Sequence, residues 1–178
     1  MGSLLVVTGP PGAGKSTVAA MLAERLDPSA LVSGDRFFGF LATGAMEPWR
    51  PESHAQNTVV TEAAAAATAR FAADYDTVFD GVVGPWFLPT FAAAAGLAQL
   101  DYVVLLPSEA TCVRRVRSRT GHGFTDVAAT RTMHAQFADA SIGDRHVIAN
   151  DGDDPLETAD RVDEARRTGS LCHLVEPS

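Results

Sequence analysis

Lysine is nearly missing from this chain: Lys15 is the only one, beside thirteen arginines. Cysteine is scarce too, with Cys112 and Cys172 far apart and neither a C-x-x-C pair nor a metal-spaced histidine near them. That pattern argues against a disulfide framework and fits a reduced intracellular compartment. No apolar run approaches the ~18 residues that a membrane span needs. The N-terminus has no basic region ahead of its strand-length apolar run, and Val6 takes Gly2 out of a myristoylation signal. The expectation is a cytoplasmic protein without a membrane partner. Positive charge is also in deficit, giving a formal charge of −8 and a pI near 5.0, which works against a polyanionic nucleic-acid partner. What remains is ordinary for one globular domain: 178 residues, 46% hydrophobic and 20% charged, with no evident linker or repeat.

The one lysine stands in Gly9-Pro10-Pro11-Gly12-Ala13-Gly14-Lys15-Ser16-Thr17, which fits G-x-x-x-x-G-K-[ST]. It follows the apolar run Leu4 to Val7 and precedes Val18, Leu22 and Leu26 at helical spacing, so strand, phosphate-binding loop and helix are expected in that order. The glycines let successive backbone N–H groups point inward, and the helix start adds its unpaired N–H groups and positive dipole end. Gly12, Ala13, Gly14, Lys15, Ser16 and Thr17 are the expected phosphate ligands, with Lys15 on the β- and γ-phosphates and the Ser16 hydroxyl on Mg²⁺.

Strand-sized runs alternate with helical spacing along the rest of the chain, the pattern of an α/β sheet with helices on both faces. Residues 30–33 read as a strand stopping at Gly34-Asp35, and 77–81 as one ending on Asp80-Gly81. Ligands in such sheets bind outside the carboxyl ends of the strands, so Asp35 falls on the edge that carries the phosphate loop. Asp80 is suited to hold Mg²⁺ directly or through water; capping the next turn is the alternative. Residues 36–52 are aperiodic and hold Phe37, Phe38, Phe40, Trp49 and Arg50, either a small-molecule pocket with its cap or a satellite hydrophobic cluster. Residues 53–75 read as one alanine-rich helix with Val59, Ala63, Ala67 and Phe71 in register.

Further on, Pro85 to Pro89 opens a helix running toward Leu97, with its stop at Gly96 or nearby, and 102–106 is the most apolar strand of the second half. Ser108 or a neighbour can cap a helix carrying Arg114, Arg115, Arg117 and Arg119, with Arg115 and Arg119 on one face and Val113 and Val116 inward. Residues 119–124 form a glycine-bearing turn, and Thr125 or Asp126 starts a helix with Met133 and Phe137 inward. An arginine-rich helix leading into such a hinge suits a lid over ATP; a solvated face on an acidic protein is the alternative. Residues 146–149 make the last core strand, Asp154-Pro155-Leu156-Glu157 starts another helix, and 171–175 can add a short terminal strand.

Together these residues resemble the small P-loop kinases of the shikimate kinase, gluconate kinase and chloramphenicol phosphotransferase type. The resemblance runs over essentially the whole length. Ser33-Gly34-Asp35 is similar to the second-strand acid that receives the acceptor's proton in those kinases, and residues 115–124 with Gln136-Phe137 are similar to the lid-and-helix pattern of gluconate kinases. Residues 36–57 and 80–88 resemble a bacterial subgroup of kinases in this superfamily. The resemblance implies a three-layer P-loop NTPase fold whose five-stranded parallel sheet has the order 2-3-1-4-5, with helices on both faces and a short lid. One kinase domain over 1–178 is expected, with a cap at about 36–58 and a lid at about 115–126. It also implies ATP and Mg²⁺ as cofactors, Lys15, Asp35 and Arg119 as catalytic groups, Arg115 at the nucleotide, Arg36, Trp49 and Asn57 at the substrate, and Ser16 and Asp80 at the metal. Two departures matter. Val82-Val83-Gly84 supplies no arginine where nucleoside-monophosphate kinases hold an acceptor phosphate, and Ser33 replaces an acid of shikimate kinases.

The leading expectation is therefore ATP- and Mg²⁺-dependent phosphorylation of a hydroxyl on a small molecule such as a sugar acid, another metabolite or an antibiotic, by a monomer or homodimer. A nucleoside, nucleotide or polynucleotide 5′-hydroxyl is the alternative acceptor, with Arg50, Arg131 and the lid arginines available for extra phosphate. A nucleotide-binding switch or ATPase with a protein partner is the reading from another class. A GTPase is disfavoured, because its Asn-Lys-x-Asp motif cannot occur when the sole lysine is Lys15.

Overall fold

Strand β1 (Leu4–Thr8) is buried along its whole length because its alternate residues enter two different cores. Leu4 and Val6 join Phe79, Phe91, Tyr102 and Phe137 on one face of a sheet. Leu5 and Val7 join Val18, Leu22, Val103 and Val162 on the other. Burial on both faces is why the central strand reads as a continuous apolar run rather than an alternating one. The computed structural model describes residues 2–118, 124–152 and 154–175.

After β1 come α1 (Lys15–Glu24), β2 (Ser29–Ser33), the short α2 (Asp35–Phe38), α3 (His54–Ala72), β3 (Asp76–Asp80), α4 (Leu88–Ala95) and β4 (Gln99–Leu105). Then follow α5 (Glu109–Arg117), α6 (Val127–Asp139), β5 (Val147–Ile148), α7 (Pro155–Arg167) and β6 (Cys172–Leu174). The sheet order is β2-β3-β1-β4-β5 with parallel pairing, and β6 pairs antiparallel with β4. Residues of α3, α4 and α6 cover one face, and those of α1 and α7 the other, giving three layers. The expected strand order is found, and the tail supplies a sixth strand.

Local signals set several boundaries. Ser108 and Asp126 accept hydrogen bonds from Thr111 N and Ala129 N, and Asp154 accepts from Leu156 N ahead of Pro155, so three side chains cap three helices. Gly96 ends α4 in the left-handed conformation. One expectation fails on α3. Its packed residues are Val60, Ala64, Ala65, Thr68 and Ala72, whereas Val59 is 61% and Phe71 48% exposed. A run of alanines carries almost no amphipathic signal, and packing against the Phe79, Leu88 and Phe91 core, not propensity, selects the face one residue further on. The last parallel strand is shorter than expected, because His146 closes a 3-10 turn before Val147.

Candidate active site

The phosphate loop turns through Gly9, Gly12 and Gly14, all with positive φ, and Gly14 is the residue before α1. Glycine is required at position 12 on two counts: its φ is +83°, and a Cβ there would lie 2.4 Å from the carbonyl oxygen of Cys112. No side chain caps α1 and its first turn holds no acid, so the N–H groups at that end are left for an anion. Lys15 Nζ donates to the Pro10 carbonyl at 3.1 Å, within the same loop.

Strand pairing brings the two acids together. Ser33 is in register with Asp80, and Gly34 N donates to Asp80 O at 2.7 Å, so the segments that continue from β2 and β3 leave the sheet side by side. The glycines after these strands are steric requirements, since a Cβ on Gly34 or Gly81 would lie 2.6 or 2.8 Å from the Phe79 ring. Asp35 begins α2, is exposed, and lines one cavity with Lys15 and Ser16. Asp80 is buried at 8% exposure. Burial pushes its carboxyl above the usual range, the Ser16 hydroxyl and Lys15 oppose that shift, and the Asp35 charge adds to it. Asp80 Oδ1 has no hydrogen-bond partner. A hydroxyl beside a carboxylate with an unfilled buried oxygen is a hard-oxygen donor set that fits Mg²⁺, which takes one or two carboxylates and completes its shell with water and phosphate.

The cavity has a volume of about 730 Å³. One end is Lys15, Ser16 and Asp35; its body is aromatic and aliphatic, including Phe38, Trp49, Phe79, Trp86 and Phe87. The aperiodic loop forms part of this wall because α3 pins it. Gln56 bonds Met46 through both N (2.7 Å) and O (2.9 Å), Ser53 Oγ donates to the Pro48 and Arg50 carbonyls, and Asn57 Nδ2 donates to Pro48 O at 2.7 Å. Side-chain partners thus satisfy a backbone that has no ladder of its own. Trp49 meets Phe124 edge to face at 5.0 Å, and His54 stacks on Phe87 at 5.4 Å. Behind the wall, Val83 is fixed by Thr8 Oγ1 accepting from its N–H and by Tyr102 Oη donating to its carbonyl.

The sequence-selected residues divide accordingly. Lys15, Ser16, Asp35, Trp49 and Asn57 line the cavity, and Asp80 lies against it. Arg36 is exposed and is not among the described lining residues. Arg50 is ion-paired to Glu47 at 2.7 Å and Arg131 to Glu109 at 3.1 Å. Arg119, with residues 119–123 of the expected lid, lies outside the described residues. Arg115 donates to Asn150 O at 2.9 Å and to Gly12 O at 3.4 Å, stapling the phosphate loop to the segment after β5. It lines a second cavity of about 320 Å³ with Gly12, Thr17, Asn150 and Pro155.

Asn150 escaped the sequence reading. It is 3% exposed, its Nδ2 donates to Ala13 O at 2.9 Å, and its Oδ1 is unpartnered. The only signal was an amide directly after an apolar strand at the ligand edge. Asn57 gains a second duty that sequence did not reveal, as the clasp on the cap loop.

The AAA_33 family, an AAA domain, matches residues 4–140. The fold is similar to that of the tunicamycin resistance protein of Deinococcus radiodurans, at 20% identity and TM-score 0.66, covering 99% of this chain and 100% of that one. A gluconokinase from Sinorhizobium meliloti 1021 is similar at 22% identity and TM-score 0.64, over 94% of this chain and 93% of the other. Shikimate kinase from Acinetobacter baumannii in complex with shikimate aligns at 16% identity and TM-score 0.62, over 96% of both chains. These likenesses establish the P-loop fold. No curated protein matches the sequence.

Proposed function

This chain belongs to the AAA_33 family of AAA domains, and from that premise we propose that it is an ATP- and Mg²⁺-dependent phosphotransferase acting on a hydroxyl of a small molecule. The observation that carries the reading is the continuity of one cavity from Lys15 and Ser16 of the phosphate loop, past Asp35, into an apolar body. A kinase needs that continuity, and a simple ATPase does not.

The loop N–H groups and Lys15 hold the β- and γ-phosphates and neutralise charge developing on them. Ser16 and Asp80 would hold Mg²⁺, which when bound shields the phosphate oxygens from one another. Asp35 accepts the acceptor's hydroxyl proton as the bond from γ-phosphorus to its bridging oxygen breaks and the bond to the acceptor oxygen forms; ADP leaves with the electron pair. Since the transition state is loose, alignment and charge matter more than a strong nucleophile. The second cavity suits the base, because the planar Arg115 guanidinium offers a stacking face and Pro155 lies in the same wall. Residues 36–58 would act as acceptor cap and 115–126 as lid within one kinase domain. The formal charge of −8 works against a polyanionic acceptor.

The experiment is transfer from γ-labelled ATP with Asp35→Asn. Loss of about 10²–10⁴ in kcat with nucleotide affinity retained is the expected result. Near-wild-type kcat would remove Asp35 from the chemistry.

A further inference from the structure

Resting on the phosphotransferase reading of this cavity, we propose that its acceptor is an uncharged alcohol with a large apolar, ring-bearing body, and not a sugar acid or a phosphorylated metabolite.

The wall chemistry carries this. Beyond Asp35 the cavity is bounded by Trp49, Val60, Phe79, Trp86, Phe87 and Met133, drawn from the cap loop, α3, β3, the segment before α4, and α6. Three cationic side chains border it among the described residues if His54 is counted. Lys15 belongs to the phosphate loop, where its Nζ lies 3.1 Å from Pro10 O. Arg50 is ion-paired to Glu47 at 2.7 Å. His54 spends its ring face on Phe87 at 5.4 Å. The segment after Asp80 offers Val82 and Val83, again without a cation. A carboxylate or phosphate on the acceptor would therefore enter an apolar wall with no dedicated partner among the described residues, close to the Asp35 charge, at a heavy desolvation cost.

Size and geometry agree. A volume of about 730 Å³ lies in the range of cavities that bury drug-sized ligands. The polar groups are gathered in places: Lys15, Ser16 and Asp35 at the phosphate end, Arg50 and His54 at the cap, and Asn57, Thr61, Thr132 and Gln136 along the α3 and α6 walls. Such a wall orients a mostly apolar molecule by a small number of hydrogen bonds, whereas a polyol needs a partner for every hydroxyl.

The test separates ligand chemistry from transfer. Full-length protein without nucleotide is titrated calorimetrically with 4-biphenylmethanol, D-gluconate and glucose 6-phosphate. Both tryptophans of the chain, Trp49 and Trp86, line the cavity, so their fluorescence supplies a second readout. We expect 4-biphenylmethanol to bind at least about tenfold more tightly than either anion and to lose about tenfold on Trp49→Ala, in line with removal of a large aromatic contact. Tighter binding of gluconate or glucose 6-phosphate overturns the inference, as does an unchanged affinity in Trp49→Ala. The wild-type ligand order decides the matter even where Trp49→Ala fails to fold. If the apolar alcohol binds as expected but no label passes from γ-labelled ATP to it or to related alcohols, the phosphotransferase reading fails while the ligand class stands. If label passes efficiently to gluconate, phosphotransfer stands and the ligand class fails.

Discussion

Replacing Asp80 with Asn should stabilise the metal-free protein while disabling it. Asp80 is 8% exposed, its Oδ1 has no hydrogen-bond partner, and burial raises its pKa against the help of Ser16 and Lys15. The native state therefore holds an ionised group that it solvates poorly. An unsatisfied buried polar atom costs about 1–3 kcal/mol, and more if charged; the amide that replaces it brings its own N–H groups, so we take about 1–2 kcal/mol as the gain. For a chain of this size that is a rise in Tm of roughly 2–8 °C. The sign with pH follows from linkage. A folded pKa above the unfolded value means that the native state takes up this proton more readily, so the cost is present at neutral pH and is relieved as pH falls through the folded pKa toward about 4. The Tm gap between Asp80→Asn and wild type should be widest near pH 7 and close by about pH 4, read by circular dichroism in EDTA. Adding Mg²⁺ with nucleotide should raise the wild-type Tm more than that of the variant. A lower Tm for Asp80→Asn at neutral pH in EDTA, or a gap indifferent to acid, would refute the reasoning.

Three further outcomes follow from the same geometry. Gly34→Ala places a Cβ 2.6 Å from Phe79 Cζ, and that ring is braced by Phe91 at 4.9 Å, so urea titration should show a loss of about 1–3 kcal/mol together with weakened transfer as Asp35 shifts. Gly12→Ala combines a φ of +83° with a 2.4 Å approach to Cys112 O, and calorimetry should find nucleotide binding lost. His146 is buried and neutral, with Nδ1 donating to Tyr102 O and Nε2 accepting from Arg145; burial lowers its pKa and that of His173. Their contribution to stability is present above about pH 6.5 and lost as pH falls through the folded values, so the urea midpoint should decline in mild acid, and less so in His173→Gln.

The centre of the sheet was readable in the sequence because β1 and β4, buried on both faces, leave apolar runs, and the strand ends because Gly34, Gly81 and Pro107 punctuate them. The phosphate loop was readable for a different reason: Gly9, Gly12 and Gly14 all take positive φ, a local demand that a motif can encode. The packed face of α3 was not, since alanine is compatible with either side and only the residues opposite decide. Asn57 and Asn150 were hard to place for a related reason. An asparagine that clasps Pro48 O or Ala13 O acts on backbone nine or 137 positions away, and nothing in its own neighbourhood announces the partner.

The placement of unpaired polar atoms gives the site its physical character. Away from it, buried polar side chains are satisfied: Thr8 accepts from Val83 N, Thr68 donates to Ala64 O, Thr77 to Tyr75 O, and His146 bonds at both ring nitrogens. The buried side-chain atoms without a partner among the described residues are Asn57 Oδ1, Asp80 Oδ1 and Asn150 Oδ1. Asn57 lines the larger cavity, Asn150 the smaller, and Asp80 meets Ser16, which lines the larger. Buried polar groups are nearly always paired, so oxygens left unpartnered near one sheet edge are tolerated there because the rest of the fold, with the amide N–H bonds of Asn57 and Asn150, holds these side chains in place. The two apolar cores on either side of the sheet supply that support, and ligands that bring hydrogen-bond partners or a cation to this edge should bind the native state alone and add to its stability.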